Sequence, residues 1–259
     1  MKNAIFITVR SNSTRLPHKC FLKINEISVI VHLINRVKRA KLADVIVLCT
    51  TTNKEDDVLC DIAAKQTISF FRGSEQDKLE RWRGAVEKFN VDFFVTADGD
   101  DILCDPDLID LCFSQYQRTG FDFIEGKDVP CGAFTYGIKA AALKRVCEIK
   151  DTDETEMMWV YFTQTGKFRC ALLENIPPVF IRPEIRMTLD YDDDFQFFKN
   201  IFGHFFAQKR FAFSLRDVLV YLDTHPEVVK INQHRQQEFL DNQKKKIKLV
   251  LRSENYDAS

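Results

Sequence analysis

Residues 4–19 read AIFITVRSNSTRLPHK and join an apolar run to a basic, hydroxyl-rich segment. The apolar run, residues 4–9, predicts a strand. Pro17 prevents a helix from continuing through the segment that follows, and it biases Leu16 toward an extended backbone. The stretch therefore predicts a strand that runs directly into an ordered loop.

The loop contains three cations and, between them, three hydroxyl side chains: Arg10, Arg15 and Lys19, with Ser11, Ser13 and Thr14. Such a set can bind several phosphate oxygens at once. In an open α/β sheet, ligands bind at the carboxyl ends of the strands, where this loop begins. On this chemistry alone, a solvated basic turn is an equally good interpretation.

Strand and helix patterns alternate along the first half of the chain. Continuous apolar runs predict strands at residues 44–50, 68–71 and 92–97. Apolar residues at helical spacing predict helices at residues 28–37, 54–65 and 105–118. This alternation is typical of a doubly wound, mostly parallel α/β sheet.

Residues 130–183 depart from the alternation. They contain strand patterns at residues 134–138 and 168–172 and helical patterns at residues 140–148 and 154–165. We interpret this region as a late inserted α+β subregion of one domain that covers residues 1–231. Residues 232–259 are interpreted as a polar tail.

Composition excludes several classes of partner. The 259-residue chain has a formal net charge of −1, with basic and acidic residues interspersed. It therefore lacks the positive electrostatic field that would bind nucleic acid or an anionic membrane surface. No apolar run has the length of a membrane span, and the N-terminus leads into a strand instead of a signal peptide. We expect a cytoplasmic protein without nucleic-acid or membrane partners.

The eight cysteines form no Cys-x-x-Cys pair, and several fall in apolar runs. We interpret them as buried reduced thiols. The five histidines show no spacing typical of metal ligands. We therefore assign no zinc site.

Two acidic segments are candidates for metal binding. Asp98, Asp100 and Asp101 follow the predicted strand 92–97, and carboxylates crowded at a strand end repel one another unless a cation or solvent compensates. Beside a triphosphate, Mg²⁺ is the natural cation. Taken alone, however, an acidic turn is more often a solvated loop.

The second acidic segment follows residues 186–190, which predict a short strand that leads into a helix. Acidic residues at a helix start complement the macrodipole and need no metal. We accept that interpretation for Asp193 and Asp194.

The order Arg10-x-x-Ser13-x-Arg15-Leu16-Pro17-x-Lys19 resembles the N-terminal signature of the cytidylyltransferases that make CMP-activated acidic sugars. These include the acylneuraminate and 3-deoxy-manno-octulosonate enzymes and their spore-coat-polysaccharide-type relatives. The resemblance implies a nucleotide-diphospho-sugar-transferase-like fold. It also implies a CTP triphosphate bound by four residues of the loop: Arg10, Ser13, Arg15 and Lys19.

A second similarity lies in residues 72–81, RGSEQDKLER, which resemble a segment of the spore-coat-type branch. It implies that Arg72 and Ser74 lie near the nucleotide. The local chemistry offers a structural interpretation, in which Ser74 caps a helix and Asp77 occupies its third position.

Two further matches concern the metal. Gly99-Asp100 resembles the Gly-Asp of the family's metal-binding segment, and Asp190 matches its Arg-x-Thr-x-Asp segment. The resemblance implies that Mg²⁺ is bound by Asp100 and Asp190, that Asp192 assists, and that Arg186 lies on the acceptor side. Asp101 departs from the family pattern.

The region 130–183 resembles the place where this family binds the sugar and forms a homodimer. The branch commonly has an Arg-Glu-His motif there, and residues 155–162, TEMMWVYF, contain neither Arg nor His. This departure leaves the acceptor open.

The resemblance implies a CMP-sugar synthetase. Its catalytic residues are Arg15, Lys19, Asp100 and Asp190, and it transfers CMP from CTP to a hydroxyl group of an acidic sugar and releases pyrophosphate. Two alternatives remain at this point. The Asp98-x-Asp100 pattern also suits a glycosyltransferase that uses a nucleotide-sugar, and the altered motifs suit a non-catalytic nucleotide-binding homologue.

Overall fold

The computed structural model describes residues 1–13 and 15–253. Its strands are β1 Asn3–Thr8, β2 Lys23–Ile24, β3 Ile27–Ser28, β4 Val45–Thr51, β5 Ser69–Gly73, β6 Phe93–Asp98, β7 Phe123–Glu125, β8 Tyr136–Lys139 and β9 Cys170–Leu172. Its α-helices are α1 Val29–Val37, α2 Asp57–Lys65, α3 Lys78–Phe89, α4 Pro106–Thr119, α5 Ala140–Ile149, α6 Val160–Thr163, α7 Asp192–Ala207, α8 Leu215–Thr224, α9 Pro226–Lys230 and α10 Arg235–Lys246.

Seven strands form one sheet in the order β5-β4-β1-β6-β8-β7-β9, and β2 pairs with β3 in a separate hairpin. The pairs β1–β4, β1–β6, β4–β5 and β7–β9 are parallel, whereas β8 is antiparallel to both β6 and β7. The prediction of a mostly parallel α/β sheet is confirmed. Because β8 lies between two other strands, residues 130–183 also contribute to the interior of the main sheet.

The sheet is covered on both faces, because side chains alternate along each strand. In β1, Ile5 and Ile7 pack with α1, α2, α4, α7 and α8. On the other face, Phe6 packs with α3, α5 and α6, and its ring stacks on that of Phe94 at 4.4 Å. The continuous apolar composition of β1 therefore reflects burial on both sides.

Three sequence predictions differ from the structure. The helix predicted over residues 154–165 is reduced to α6, because the Thr155 hydroxyl donates to Asp77 Oδ1 at 2.8 Å and accepts from the N–H of Leu79 at 3.1 Å. These bonds tie the segment to the start of α3. The strand predicted over residues 186–190 is a single bridge between Cys131 and Arg186.

The third difference is the cap of α3. Asp77 is the N-cap, since its Oδ1 accepts from the N–H of Glu80 at 3.1 Å, and Ser74 precedes the helix and accepts from the N–H of Asp77. The prediction that Ser74 caps this helix is therefore wrong by three residues. The carboxylate of Asp77 is fixed there by Lys150, whose Nζ lies 2.5 Å from Oδ2.

Residues 232–253, most of the predicted polar tail, contain α10 and a segment that returns to the body of the protein. Ile247 and Leu249 pack against the α3 and α5 side of the core, and Leu251 forms a bridge with Lys150. No helix in the described residues combines the length and apolar character needed to cross a membrane. All eight cysteines are free; Cys60 and Cys131 are half-buried and Cys170 is exposed.

Candidate active site

The candidate site lies where β1 and β6 end side by side. Thr8 is paired with Asp98 in the sheet, and the N–H of Gly99 donates to the Thr8 carbonyl at 2.8 Å. A Cβ atom on Gly99 would lie 2.6 Å from Cγ2 of Val9, so only glycine permits this approach. The loop after β1 and the acidic segment after β6 therefore leave the sheet in contact.

The start of the loop is fixed by Asp56. Its Oδ1 accepts from the N–H of Ser11 at 2.7 Å, and its Oδ2 accepts from the Thr51 hydroxyl at 2.5 Å. Burial alone would raise the pKa of Asp56, but the hydrogen bonds from Ser11 and Thr51 outweigh it and lower that pKa. The Ser11 hydroxyl donates to the Glu55 carbonyl at 3.0 Å, so Ser11 is not a free hydroxyl donor of the basic loop after β1.

Lys19 joins the two predicted metal ligands. Its Nζ lies 2.6 Å from Oδ2 of Asp100 and 2.8 Å from Oδ1 of Asp190. Burial opposes the charge of Lys19, but the two carboxylates outweigh burial and raise the pKa of the ammonium above its usual value. The structure thus brings together side chains that are 81 and 171 residues apart in the chain.

Arg15 completes this cluster. Its Nη2 donates to Oδ1 of Asp190 at 2.5 Å. Burial would raise the pKa of Asp190, but Lys19 and Arg15 outweigh burial and lower it, so Asp190 is ionised. The four residues predicted to be catalytic, Arg15, Lys19, Asp100 and Asp190, are therefore joined in one cluster of ion pairs.

Arg186 lies beneath Asp190. Its Nη2 donates to Oδ2 of Asp190 at 3.1 Å, and the side chains of both residues are 0 % exposed. The predicted acceptor-side arginine is therefore enclosed by protein and acts on the site by orienting Asp190.

Asp194 holds this arrangement in place, and sequence reasoning missed it. It accepts from Arg186 Nε at 2.8 Å and from the N–H groups of Asp190 and Tyr191 at 2.8 and 3.0 Å. Asn232 also donates to it, at 2.8 Å. The sequence did contain one signal for this role. Asp194 is an acidic residue at the third position of a helix, where its carboxylate can accept from the backbone N–H of the N-cap residue.

The other carboxylates after β6 have separate environments. Asp98 pairs with Lys78 at 2.9 Å. Burial raises the pKa of Asp100, and the nearby charge of Asp190 adds to this, against the opposing effect of Lys19. Asp101 is buried, and burial together with the charge of Asp100 raises its pKa well above the usual range. The extra acid Asp101 is thus enclosed, whereas the side chains of Asp98 and Asp100 are 30 % and 23 % exposed.

Backbone contacts fix the segment that carries Asp190 next to the segment that carries Asp100. The N–H of Leu189 donates to the Asp100 carbonyl at 3.0 Å. The N–H of Cys131 donates to the Ile185 carbonyl at 3.0 Å, and the Cys131 carbonyl accepts from the N–H of Met187 at 2.7 Å. Gly132 has a φ of 92°, and a Cβ atom there would lie 2.3 Å from the Met187 carbonyl oxygen. Only glycine allows the two segments to lie this close.

The second similarity segment lies elsewhere, at the end of β5. Arg72 donates to the carbonyls of Thr51 and Asn53 at 2.9 and 2.8 Å and pairs with Asp57 at 2.6 Å. Its cationic group therefore braces the loop between β4 and α2. Ser74 contributes to the turn before α3.

Three other predicted residues make no contact with the carboxylate cluster in the described part of the chain. Arg10 is exposed, and its guanidinium has no ion-pair or hydrogen-bond partner among residues 1–13 and 15–253. Ser13 is half-buried and Asp192 is exposed at the start of α7. Thr14 lies outside the described residues.

The geometry suits a divalent cation at one point. Asp100 and Asp190 direct one oxygen each at the Lys19 ammonium, so a cation at that position would have two protein ligands. Among the described residues, no group of three or more His, Cys, Asp or Glu side chains is arranged to bind a metal. Two carboxylates with remaining positions for phosphate and water are a common arrangement for Mg²⁺.

Comparison with known proteins gives a family match. The cytidylyltransferase family model matches residues 4–222, which include all of the contacts from Arg15 to Asp190. The match ends before α10.

Similarity to individual proteins supports the family match. The chain is 25 % identical to the spore coat polysaccharide biosynthesis protein SpsF of Bacillus subtilis over 88 % of this chain and 97 % of that protein. It is 25 % identical to a 3-deoxy-manno-octulosonate cytidylyltransferase of Chlorobium phaeobacteroides over 70 % of this chain and 71 % of that protein. The structure is similar to that of a cytidylyltransferase from Leptospira borgpetersenii, with a TM-score of 0.79, 26 % identity, and coverage of 88 % and 97 % of the two chains.

Proposed function

The chain belongs to the cytidylyltransferase family, and from this premise we propose that it transfers CMP from CTP to a hydroxyl group of an acidic sugar and releases pyrophosphate. One observation carries the proposal. Two cations from the loop after β1, Arg15 and Lys19, contact the two carboxylates Asp100 and Asp190 at the carboxyl end of the sheet.

The cations would act on the triphosphate. Arg15 and Lys19 are paired with side chains and not with backbone carbonyls, so they can exchange these partners for phosphate oxygens. Negative charge builds up on the leaving pyrophosphate during attack at the α-phosphorus, and fixed cations there stabilise the transition state. The guanidinium of Arg10, which has no partner in the described residues, would be available to a further phosphate.

Asp100 and Asp190 would hold Mg²⁺. A bound divalent ion would orient the phosphates and neutralise charge on the α-phosphate. Arg186 and Asp194 keep the carboxylate of Asp190 fixed toward that position. No side-chain nucleophile is required, since positioning and charge neutralisation supply most of the catalysis in such transfers.

The acceptor would bind on the side of residues 130–183, which we also propose as the homodimer contact. The similarity to a 3-deoxy-manno-octulosonate cytidylyltransferase supports a carboxylated sugar. Burial would raise the pKa of Glu156, but Lys246, with smaller effects of Arg10 and Lys78, lowers it. This supports a position of residues 155–162 near the loop after β1.

The test is pyrophosphate release with Mg²⁺, each of the four nucleoside triphosphates, and a panel of octulosonic and nonulosonic acids. We expect release with CTP and one acidic sugar. Release from CTP with a neutral sugar would contradict the prediction of an acidic acceptor. Release with another nucleoside triphosphate would contradict the predicted preference for cytosine. CTP binding without any turnover would favour a non-catalytic homologue.

A glycosyltransferase would release no pyrophosphate. The structure gives little support to that alternative, because Asp98 of the Asp98-x-Asp100 pattern is paired with Lys78 and not directed at the same point as Asp100.

A further inference from the structure

A C-terminal segment outside the family match crosses the candidate site. The match ends at residue 222, whereas α10 begins at Arg235. Twelve helical residues span about 18 Å at 1.5 Å per residue. Residues in and next to the two ends of the helix contact two different segments, Arg186 with Asp194 and the region of Glu154 and Glu156.

The first end is joined to the floor of the site. Asn232 is buried and donates to Oδ1 of Asp194 at 2.8 Å and to the Arg186 carbonyl at 3.1 Å. Gln236 accepts from Nη1 of Arg186 at 3.2 Å. The orientation of α10 is therefore fixed relative to the residues that hold Asp190.

The far end is joined to the proposed acceptor side. Lys246 pairs with Glu156 at 3.0 Å and Lys248 pairs with Glu154 at 2.5 Å, and all four side chains are substantially exposed. Such pairs contribute little stability. None of the residues of α10 is buried. Core packing therefore does not explain why the helix lies across the site.

The contact that bears on the nucleotide is made by Phe239. Its half-buried ring has its centroid 5.8 Å from Cζ of Arg15, and the ring of Tyr191 lies 5.6 Å from the same atom. Among residues 1–13 and 15–253, Asp190 is the single hydrogen-bond partner of the Arg15 guanidinium. Arg15 is therefore held by one carboxylate and two aromatic faces.

Arg186, which also faces Phe239 at 4.6 Å, differs in this respect. It makes hydrogen bonds to Asp190, Asp194 and Gln236. It needs no aromatic ring to fix its orientation. Removing the ring of Phe239 should consequently affect Arg15 more than Arg186.

We propose that α10 is a functional part of the nucleotide site and that Phe239 is a positioning residue for Arg15. When the triphosphate takes over the hydrogen bonds of Arg15, the rings of Phe239 and Tyr191 keep the guanidinium plane directed at the phosphates. This inference rests on the proposed binding of CTP by Arg15.

The experiment measures the Kd for CTP by calorimetry with Mg²⁺ and without acceptor, together with the Tm of each variant. Phe239→Leu should weaken binding about three- to tenfold, as expected for loss of a partly desolvated cation–π contact. Phe239→Tyr should restore the affinity to within about twofold, because the aromatic face is retained. Phe211→Leu, which changes a phenylalanine that is 68 % exposed beyond α7, is the matched control and should leave the Kd unchanged.

A double-mutant cycle separates positioning from general damage. In an Arg15→Ala background, Phe239→Leu should weaken CTP binding by less than about twofold. An equal loss in both backgrounds, an unchanged Kd in Phe239→Leu, or failure of tyrosine to restore binding would overturn the proposal. If Phe239→Leu lowers the Tm by more than a few degrees, Phe239→Met replaces it in the cycle.

The same titration distinguishes this inference from the proposed function. Absence of CTP binding by the wild-type protein would reject the proposed function, and the role of Phe239 with it. Normal binding by the wild type and by Phe239→Leu would reject the role of Phe239 alone.

Discussion

The ends of β1 and β5 both carry an arginine from a segment that resembles a nucleotide site, but the two arginines have different partners. Arg15, after β1, donates to the carboxylate of Asp190, which is 175 residues away. Arg72, in β5, donates to two backbone carbonyls and pairs with Asp57. A cation paired with a side chain can change partners on ligand binding, whereas one that satisfies backbone carbonyls braces the fold. The contacts thus predict that Arg15 can exchange its partner for a ligand and that Arg72 stabilises the fold.

The largest effect that would test this contrast is expected from Asp190→Asn. The buried carboxylate faces Lys19, Arg15 and Arg186, so its neutralisation leaves three cations without their shared partner. We expect a loss of about 3 kcal/mol in the free energy of unfolding, a Tm lowered by about 6–12 °C, and turnover reduced about 10³-fold. Thermal unfolding and pyrophosphate release measure the two effects. An unchanged Tm would contradict the ion-pair cluster.

Asp100→Asn should remove activity without the loss of stability. The Asp100 side chain is 23 % exposed and faces one cation, so the fold depends on it less. We expect turnover to fall about 10³-fold, with a Tm within about 3 °C of the wild type. Asp98→Asn is the matched control, because that carboxylate pairs with Lys78 instead. Pyrophosphate release measures turnover, and equal losses for the two variants would contradict the separate roles assigned to Asp98 and Asp100.

Arg15→Ala should act mainly on the affinity for CTP. Removing one charge-assisted contact to a phosphate costs about 1.5–3 kcal/mol, which is a roughly 10- to 100-fold rise in the Kd. A titration with CTP and Mg²⁺ measures it. An unchanged Kd would place the triphosphate away from the loop after β1.

Much of the fold was predictable because it depends on local patterns. The apolar run that ends before Asp98 predicts β6, and Asp105 before Pro106 predicts the start of α4, where the Asp105 carboxylate accepts from the N–H groups of Asp107 and Leu108. Parallel strands place their carboxyl ends at one edge, which explains why the loop after β1 meets the acidic segment after β6. The ion pair between Lys19 and Asp100 was not predicted.

What was missed depends on contacts between distant segments. The buried side chains of Thr155, Asp77 and Lys150 bond to one another and replace a predicted helix by an irregular segment. Helix periodicity contains no information about such a network. Likewise, the polar composition of residues 232–259 gave no sign that Phe239 would lie against Arg15.

The smallest effect on binding is expected from Arg72→Ala. If Arg72 braces the β4–α2 loop, the Kd for CTP should stay within about twofold of the wild type, while the free energy of unfolding falls by about 1–2 kcal/mol. A Kd raised as much as in Arg15→Ala would instead place Arg72 at the nucleotide, as the resemblance of residues 72–81 implies.

Lys19, which lies between Asp100 and Asp190, gives the protein a built-in counter-ion. If Asp100 and Asp190 hold the proposed Mg²⁺, they become available to it only when this ammonium leaves, and under the proposed function a phosphate of CTP would receive the ammonium. The affinities for the metal and for the nucleotide are therefore thermodynamically linked, and each ligand should strengthen the other by the same factor. Under the proposed function, the protein would bind free Mg²⁺ weakly and would bind it more tightly once the triphosphate is present.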